Sequence, residues 1–258
     1  MCSSLHIAKR KKLIQLLYRK VPPVINAEMA FEVLELCKLP ESLNIAQMKE
    51  LIHEYMTPRV SYYCEKKRSP YVEDELSEYF TAKSTNGVEI GSGSCAMDIQ
   101  TKDNEGIDAM CVIMNNNGSN EKSLIQNFSS SGVDLDTLFK EKRDNEAVKL
   151  YMDQYSKKLH DVKEGKKLTD LYILSFVSTY NEVFLTCFKI KLENIKHVSS
   201  GGFIKNSSVN ILVNNFINPR YGNVKLYKSK KRLELRLKPD VLNTEYAVKI
   251  YTMPEHRV

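Results

Sequence analysis

The chain has 258 residues, 42% of them apolar, enough to bury a core and near the upper end of what one α/β unit uses. No window approaches the ~18 uninterrupted apolar residues of a membrane span. The N-terminus, MCSSLHIAKRKKLIQLLYRK, lacks the long apolar stretch and small-residue cleavage site of a secretory signal, so a cytoplasmic location is expected. Six cysteines form no Cys-x-x-Cys pair, and five histidines stand apart from one another. That spacing argues against a zinc cage, a disulfide framework or a local serine-type triad. The net charge of +6 is unevenly spread. Residues 9–20 hold six Lys or Arg and no acid, and residues 220–238 hold eight against the single Glu234, a local surplus of +7 that suits a polyanionic partner.

In chain order, residues 5–84 read as helices. KLIQLLYRK, AEMAFEVLELCKL, AQMKELIHEYM and VEDELSEYFTAKS carry apolar residues three and four apart, with Pro22, Pro23, Pro40, Pro58 and Pro70 between them. From residue 86 the pattern changes to short apolar runs separated by Gly, Ser, Asn and Asp. It predicts strands near 87–91, 95–101 and 107–114. EKSLIQNF has helical spacing, and EAVKLYMDQYSKKLHDVKEG predicts a long helix over about 144–164. The remainder is β-rich: TDLYILSFVSTY, VFLTCFKIKLENIKHV, SVNILVNNF, GNVKLYKSKKRLELRLK and EYAVKIYTM. We expect a helical region over 1–84 and a second region, 85–258, holding a hairpin, the long helix and basic strands, the two packed as one domain.

The chemistry-bearing stretch is 91–114. Asp98 and Asp108 lie ten apart on strands joined by the turn TKDNEG, so their carboxylates can meet at one end of a hairpin. Such a pair can share a divalent ion that polarises a phosphate and activates water. Each acid also has an ordinary alternative, Asp98 as a turn cap and Asp108 as a strand start that bonds its own backbone, although apolar neighbours on both sides (Met97 and Ile99, Ile107 and Ala109) are unusual for a merely solvated acid. In the basic segment, alternation in an extended strand would place cations about 6.6 Å apart on one face, near the phosphate spacing of one DNA strand. Asn206, Asn210, Asn214, Asn215 and Asn218 are candidates for reading base edges.

A helix with acids, then G-x-G-x-x-x-x-D-I, then G-I-D-A in an apolar strand, then N-E-K-S-L-I-Q-N-F, resembles the PD-(D/E)XK nuclease superfamily, in particular bacterial type II restriction endonucleases. The likeness covers about residues 70–128. It implies a mixed α+β fold with a restriction-endonuclease-like central mixed sheet, N-terminal helices and a β-rich C-terminal region. It also implies Mg²⁺ bound by Asp98 and Asp108, a helix acid at Glu75 or Glu78, and cleavage of double-stranded DNA to leave a 5′-phosphate. The partners implied are DNA, a second copy of the chain in a homodimer, or none if it acts as a monomer, and a DNA methyltransferase in a restriction-modification pair. The chain departs from the pattern at Met110, where a lysine is expected. Lys122 is the nearest replacement and Lys102 a weaker one. A second frame takes Glu89 as the first acid and Asp98-Ile99-Gln100 as the next triplet. Gln126 could reach the phosphate, and Arg220, Lys225, Lys228, Lys230, Lys231, Arg232 and Arg236 would grip the duplex, with Lys9 to Lys12 as another basic surface. The competing expectation is a nucleic-acid-binding protein that has lost its nuclease lysine.

Overall fold

The computed structural model of the chain describes residues 31–91, 95–125, 135–203, 210–227 and 232–254. Its centre is a mixed sheet in the order β1 (Leu34–Cys37), β8 (Glu182–Ile190), β7 (Leu171–Ser178), β4 (Gly106–Asn115), β3 (Ile99–Gln100) and β2 (Val88–Glu89). Strand β13 (Val248–Thr252) also pairs with β8, and β5 (Gly118–Ser119) folds back on β4. Among the described strand pairs, β4 and β7 alone run parallel, in unbroken register from Gly106↔Leu171 to Ile113↔Ser178. Parallel neighbours need a crossover. Here it includes the helix α5 (Asp144–Gly165), whose buried residues Ala147, Val148, Tyr151, Met152, Tyr155, Leu159 and Val162 recur every three or four positions.

Side chains alternate across β4, so one strand feeds two cores. Ile107, Ala109 and Cys111 pack with α1 (Ile45–Met56) and α3 (Asp74–Ser84) through Met48, Ile52 and Phe80. Met110, Val112 and Met114 face the other way, onto α5. That second core also takes in the inner face of a separate antiparallel sheet, ordered β6 (Lys122–Ile125), β12 (Arg232–Leu237), β11 (Gly222–Tyr227), β10 (Asn210–Asn214) and β9 (Ser199–Phe203). Two short helices complete the set, α2 (Val60–Lys66) and α4 (Leu135–Lys140). No described helix is long and apolar enough to cross a membrane. The mixed α+β class expected from the sequence is thus observed, with helices before a central mixed sheet.

Three local expectations are corrected. The helical reading of AEMAFEVLELCKL fails at Leu34–Cys37, which is strand β1, paired with β8 from Leu34↔Ile190 to Cys37↔Cys187. Val33 and Leu34 are fully buried while Glu35 is exposed, so pairing with the β8 edge overrides a local helical pattern. EKSLIQNF does not begin a helix at Lys122–Ile125, because those residues form β6 against β12. The basic segment is not one extended row but two antiparallel strands, with Lys225 facing Glu234 and Tyr227 facing Arg232.

Candidate active site

The edge of β4 organises the site. Strand β3 contributes only the pairs Ile99↔Ile107 and Gln100↔Gly106, so among the described residues the stretch of that edge between Ile107 and the β5 pairing at Met114 has no strand beside it. Its amides still need acceptors, and side chains supply them. Asp98 Oδ2 accepts from the Ala109 amide at 2.9 Å, Asp74 Oδ1 from the Cys111 amide at 3.2 Å, and Asn120 Oδ1 from the Ile113 amide at 2.8 Å. Two carboxylates are thereby fixed along one strand at a repeat of about 6.6 Å.

The regular β3–β4 pairing ends at Ile99↔Ile107, and beyond it the Asp98 amide also donates to the Ile107 carbonyl at 3.0 Å, which holds Asp98 beside Asp108. The two carboxyls hydrogen-bond to each other. The Gly91 amide donates to the Asp98 carbonyl at 3.0 Å, and a Cβ on Gly91 would stand 3.2 Å from Asp98 Cα and Oδ1. The glycine therefore has a steric reason: the chain must pass close to this aspartate. Met110, two residues beyond Asp108, is 5% exposed in the α5-facing core. A lysine there would bury its charge among apolar side chains, which accounts for the departure from the expected pattern.

Helix α3 brings its acids to the same edge. Asp74 and Glu78, four apart, share a helical face; Glu78 is half-buried, while Asp74 and Glu75 are exposed. Lys122 Nζ, reaching across from β6, donates to Asp74 Oδ1 at 2.7 Å and Oδ2 at 2.6 Å. The structure thus gathers Asp98, Asp108 and Glu78 in one electrostatic cluster, with Lys122 held beside it. It also adds Asp74, which the sequence reading missed. Glu75 touches this cluster only through its charge on Glu78. Gln100 is turned away, donating to Asn104 Oδ1 at 3.0 Å and the Lys166 carbonyl at 3.2 Å, while Glu89 and Lys102 are exposed. Gln126 lies outside the described residues.

Burial and mutual repulsion set the proton affinities. Burial raises Asp108 well above an ordinary carboxyl, and the charge of Asp98, the hydrogen bond between them, and the charges of Glu78 and Asp74 raise it further. Burial also raises Asp98, against hydrogen bonds from the Ala109 amide and from Asp108 that pull it down. Desolvation, with Asp98, Glu89, Asp74 and Glu75 around it, lifts Glu78 to about 7. Cys111, buried beside Asp74, is pushed up to about 12, chiefly by desolvation. Acids with raised proton affinity gathered in one place mark a candidate functional site.

The proposed duplex-gripping residues are dispersed. Lys225 forms an ion pair with Glu121 at 3.3 Å, and the Tyr227 hydroxyl donates to the same carboxylate. Arg236 Nη2 donates to the Asn117 carbonyl at 3.1 Å, Arg220 lies over the Tyr221 ring, and Arg232 is exposed. Lys228, Lys230 and Lys231 lie outside the described residues, as do Asn206 and Lys9 to Lys12. Of the asparagines, Asn210 is buried, Asn215 Nδ2 donates to the His197 carbonyl at 2.9 Å, and Asn218 Oδ1 accepts from the Arg220 amide at 3.0 Å. These contacts belong to the fold.

Among the described residues, no group of three or more His, Cys, Asp or Glu side chains is gathered to hold a metal ion. The facing Asp98 and Asp108 pair nevertheless suits Mg²⁺, a hard cation that commonly takes one or two carboxylates and completes its shell with water and phosphate oxygen. No protein-family model, curated protein or solved structure matches the chain.

Proposed function

We propose that the chain is a Mg²⁺-dependent endonuclease that hydrolyses phosphodiester bonds of double-stranded DNA in a sequence-specific manner. The observation that supports this reading is the facing Asp98 and Asp108 carboxyls at an open strand edge, with Glu78 and the Lys122–Asp74 pair beside them. Asp98 and Asp108 would hold the cation, whose charge offsets that of the phosphate and lowers the proton affinity of water.

The other roles fall to the chain's own groups. Glu78, with a proton affinity near neutrality, can take a proton from the attacking water when ionised. Lys122 presents a positive charge to the pentacovalent phosphate, and Asp74 positions it by gripping its ammonium with both oxygens. The β4 amides fix Asp98 and Asp74 before substrate arrives, so little reorganisation is needed.

The test is a plasmid-cleavage assay with and without Mg²⁺, paired with thermal melting in the same metal series. We expect Mg²⁺-dependent cleavage and a Mg²⁺-dependent rise in melting temperature, both lost in Asp98→Asn and Asp108→Asn. Undiminished cleavage in both variants would overturn the assignment. A salt-dependent DNA binder that never cuts would instead favour the non-catalytic reading, for which the buried Met110 is the relevant observation.

A further inference from the structure

A second surface adjoins this site on the helical side. Tyr62 on α2 is 46% exposed and Tyr79 on α3 is 42% exposed, and Tyr79 follows Glu78 directly. Each carries a cation on its ring: the Arg68 guanidinium 6.0 Å from the Tyr62 centroid and Lys83 Nζ 5.5 Å from that of Tyr79. Arg59 lies 3.8 Å over Tyr55, which packs edge-on to Phe80, itself edge-on to Tyr79.

The Tyr63 hydroxyl ties α2 to the site end of α3 by donating to the Tyr71 carbonyl at 3.0 Å, three residues before Asp74. From Thr57 to Arg68 the chain carries Arg59, Lys66, Lys67 and Arg68 against Glu65, a surplus of three positive charges. Exposed rings interleaved with cations are what an unpaired polynucleotide uses: bases stack on the rings and phosphates meet the charges. Stacked bases inside a duplex cannot offer their faces in this way.

Resting on the nuclease reading above, we infer that the Tyr62–Tyr79 surface holds an unpaired strand of the substrate next to the acid cluster. The occupant we assign is single-stranded nucleic acid, so the preferred substrate carries an unpaired segment near the cut.

The test measures binding to the full-length protein without metal, using an oligothymidylate of about twenty nucleotides and a duplex of equal length. Combined Tyr62→Ala and Tyr79→Ala should weaken single-strand binding by about tenfold or more, and duplex binding by less than about threefold. Combined Tyr62→Phe and Tyr79→Phe keeps the stacking faces and should restore the affinity, which separates stacking from a folding defect. Absence of single-strand binding by the unsubstituted protein, equal losses for both nucleic acids, or no loss in the alanine pair would each overturn the inference. The two readings fail separately. Cleavage with unaltered single-strand binding in the alanine pair removes the surface alone. Ring-dependent binding in a protein that never cuts removes the nuclease reading and leaves the surface.

Discussion

The open edge of β4 and the outer face of the second sheet both crowd acids into partly buried positions, yet they resolve the charge in opposite ways. At Glu121, burial would raise the carboxyl, but the Tyr227 hydroxyl and Lys225 ammonium outweigh it and the net shift is downward. At Asp108 and Glu78, burial is reinforced by neighbouring acids and the shift is upward. A fold that merely needed polar groups satisfied could have used the first solution twice. At β4, among the described residues, only Asp74 has a cation, Lys122, on it, and the raised proton affinities of Asp108 and Glu78 make this edge the candidate site.

The largest effect is expected at the acid pair. Asp98→Ala or Asp108→Ala should abolish cleavage, with DNA affinity unchanged or higher because a negative charge is removed from beside phosphate. Cleavage rates, binding isotherms and melting curves on the same samples check this, and retained cleavage in either variant removes that residue from the site.

Next comes the lysine. Lys122→Ala should lower the cleavage rate by several orders of magnitude with little change in binding, since on the proposed reading its charge acts in the transition state. Asp74→Asn should lower it less, because the carbamoyl group still accepts the Cys111 amide and loses only its hold on the ammonium. Single-turnover rates distinguish the two, and equal losses would make Asp74 more than a positioning residue.

The pH dependence of stability separates the regions without any activity measurement. Glu78, raised to about 7 from an ordinary 4.5, stays protonated in the folded state over a range where the unfolded chain has already released the proton. The folded state binds more protons there, so stability falls as pH rises through that window. The metal-free melting temperature should therefore drop between about pH 4.5 and 7, and Glu78→Gln should flatten the slope. An unchanged slope would place the acids in a more solvated setting.

The smallest effects belong to the compensated face and the helix caps. Tyr227→Phe removes one donor from Glu121 and should cost about 1 kcal/mol of stability, with no change in Mg²⁺-dependent melting shifts. Asn44→Ala removes the side-chain acceptor of the Gln47 amide at the start of α1 and should cost about 1 kcal/mol. Denaturant unfolding reads both.

What was legible in the sequence depended on the range of the interaction. Asp98 and Asp108 could be paired because a short polar turn sets their register locally, and α5 because its seven buried positions keep one helical phase. Strand β1 was not, since Val33, Leu34 and Leu36 also suit a helix, and only β8, some 150 residues away at Cys37 and Cys187, decides the matter. Asp74 was hidden among three consecutive acids, Glu73 to Glu75, whose phase on the helix is fixed only once its first residue is known. Lys122 could be named only as the nearest replacement. Its contact with Asp74 spans 48 residues and depends on β6 being a strand.

The truncation of β3 has a consequence for how the protein behaves in company. An exposed strand edge is a template on which another chain can add a strand, and the β4 edge also displays Ile113 at 40% exposure. Asp98, Asp74 and Asn120 occupy successive amides along that edge, so an incoming backbone finds its donors taken and meets carboxylate charge. Alanine at Asp98 and Asp74 together would uncover two adjacent amides and remove both charges. Such a protein should associate edge to edge as its concentration rises, which light scattering would register.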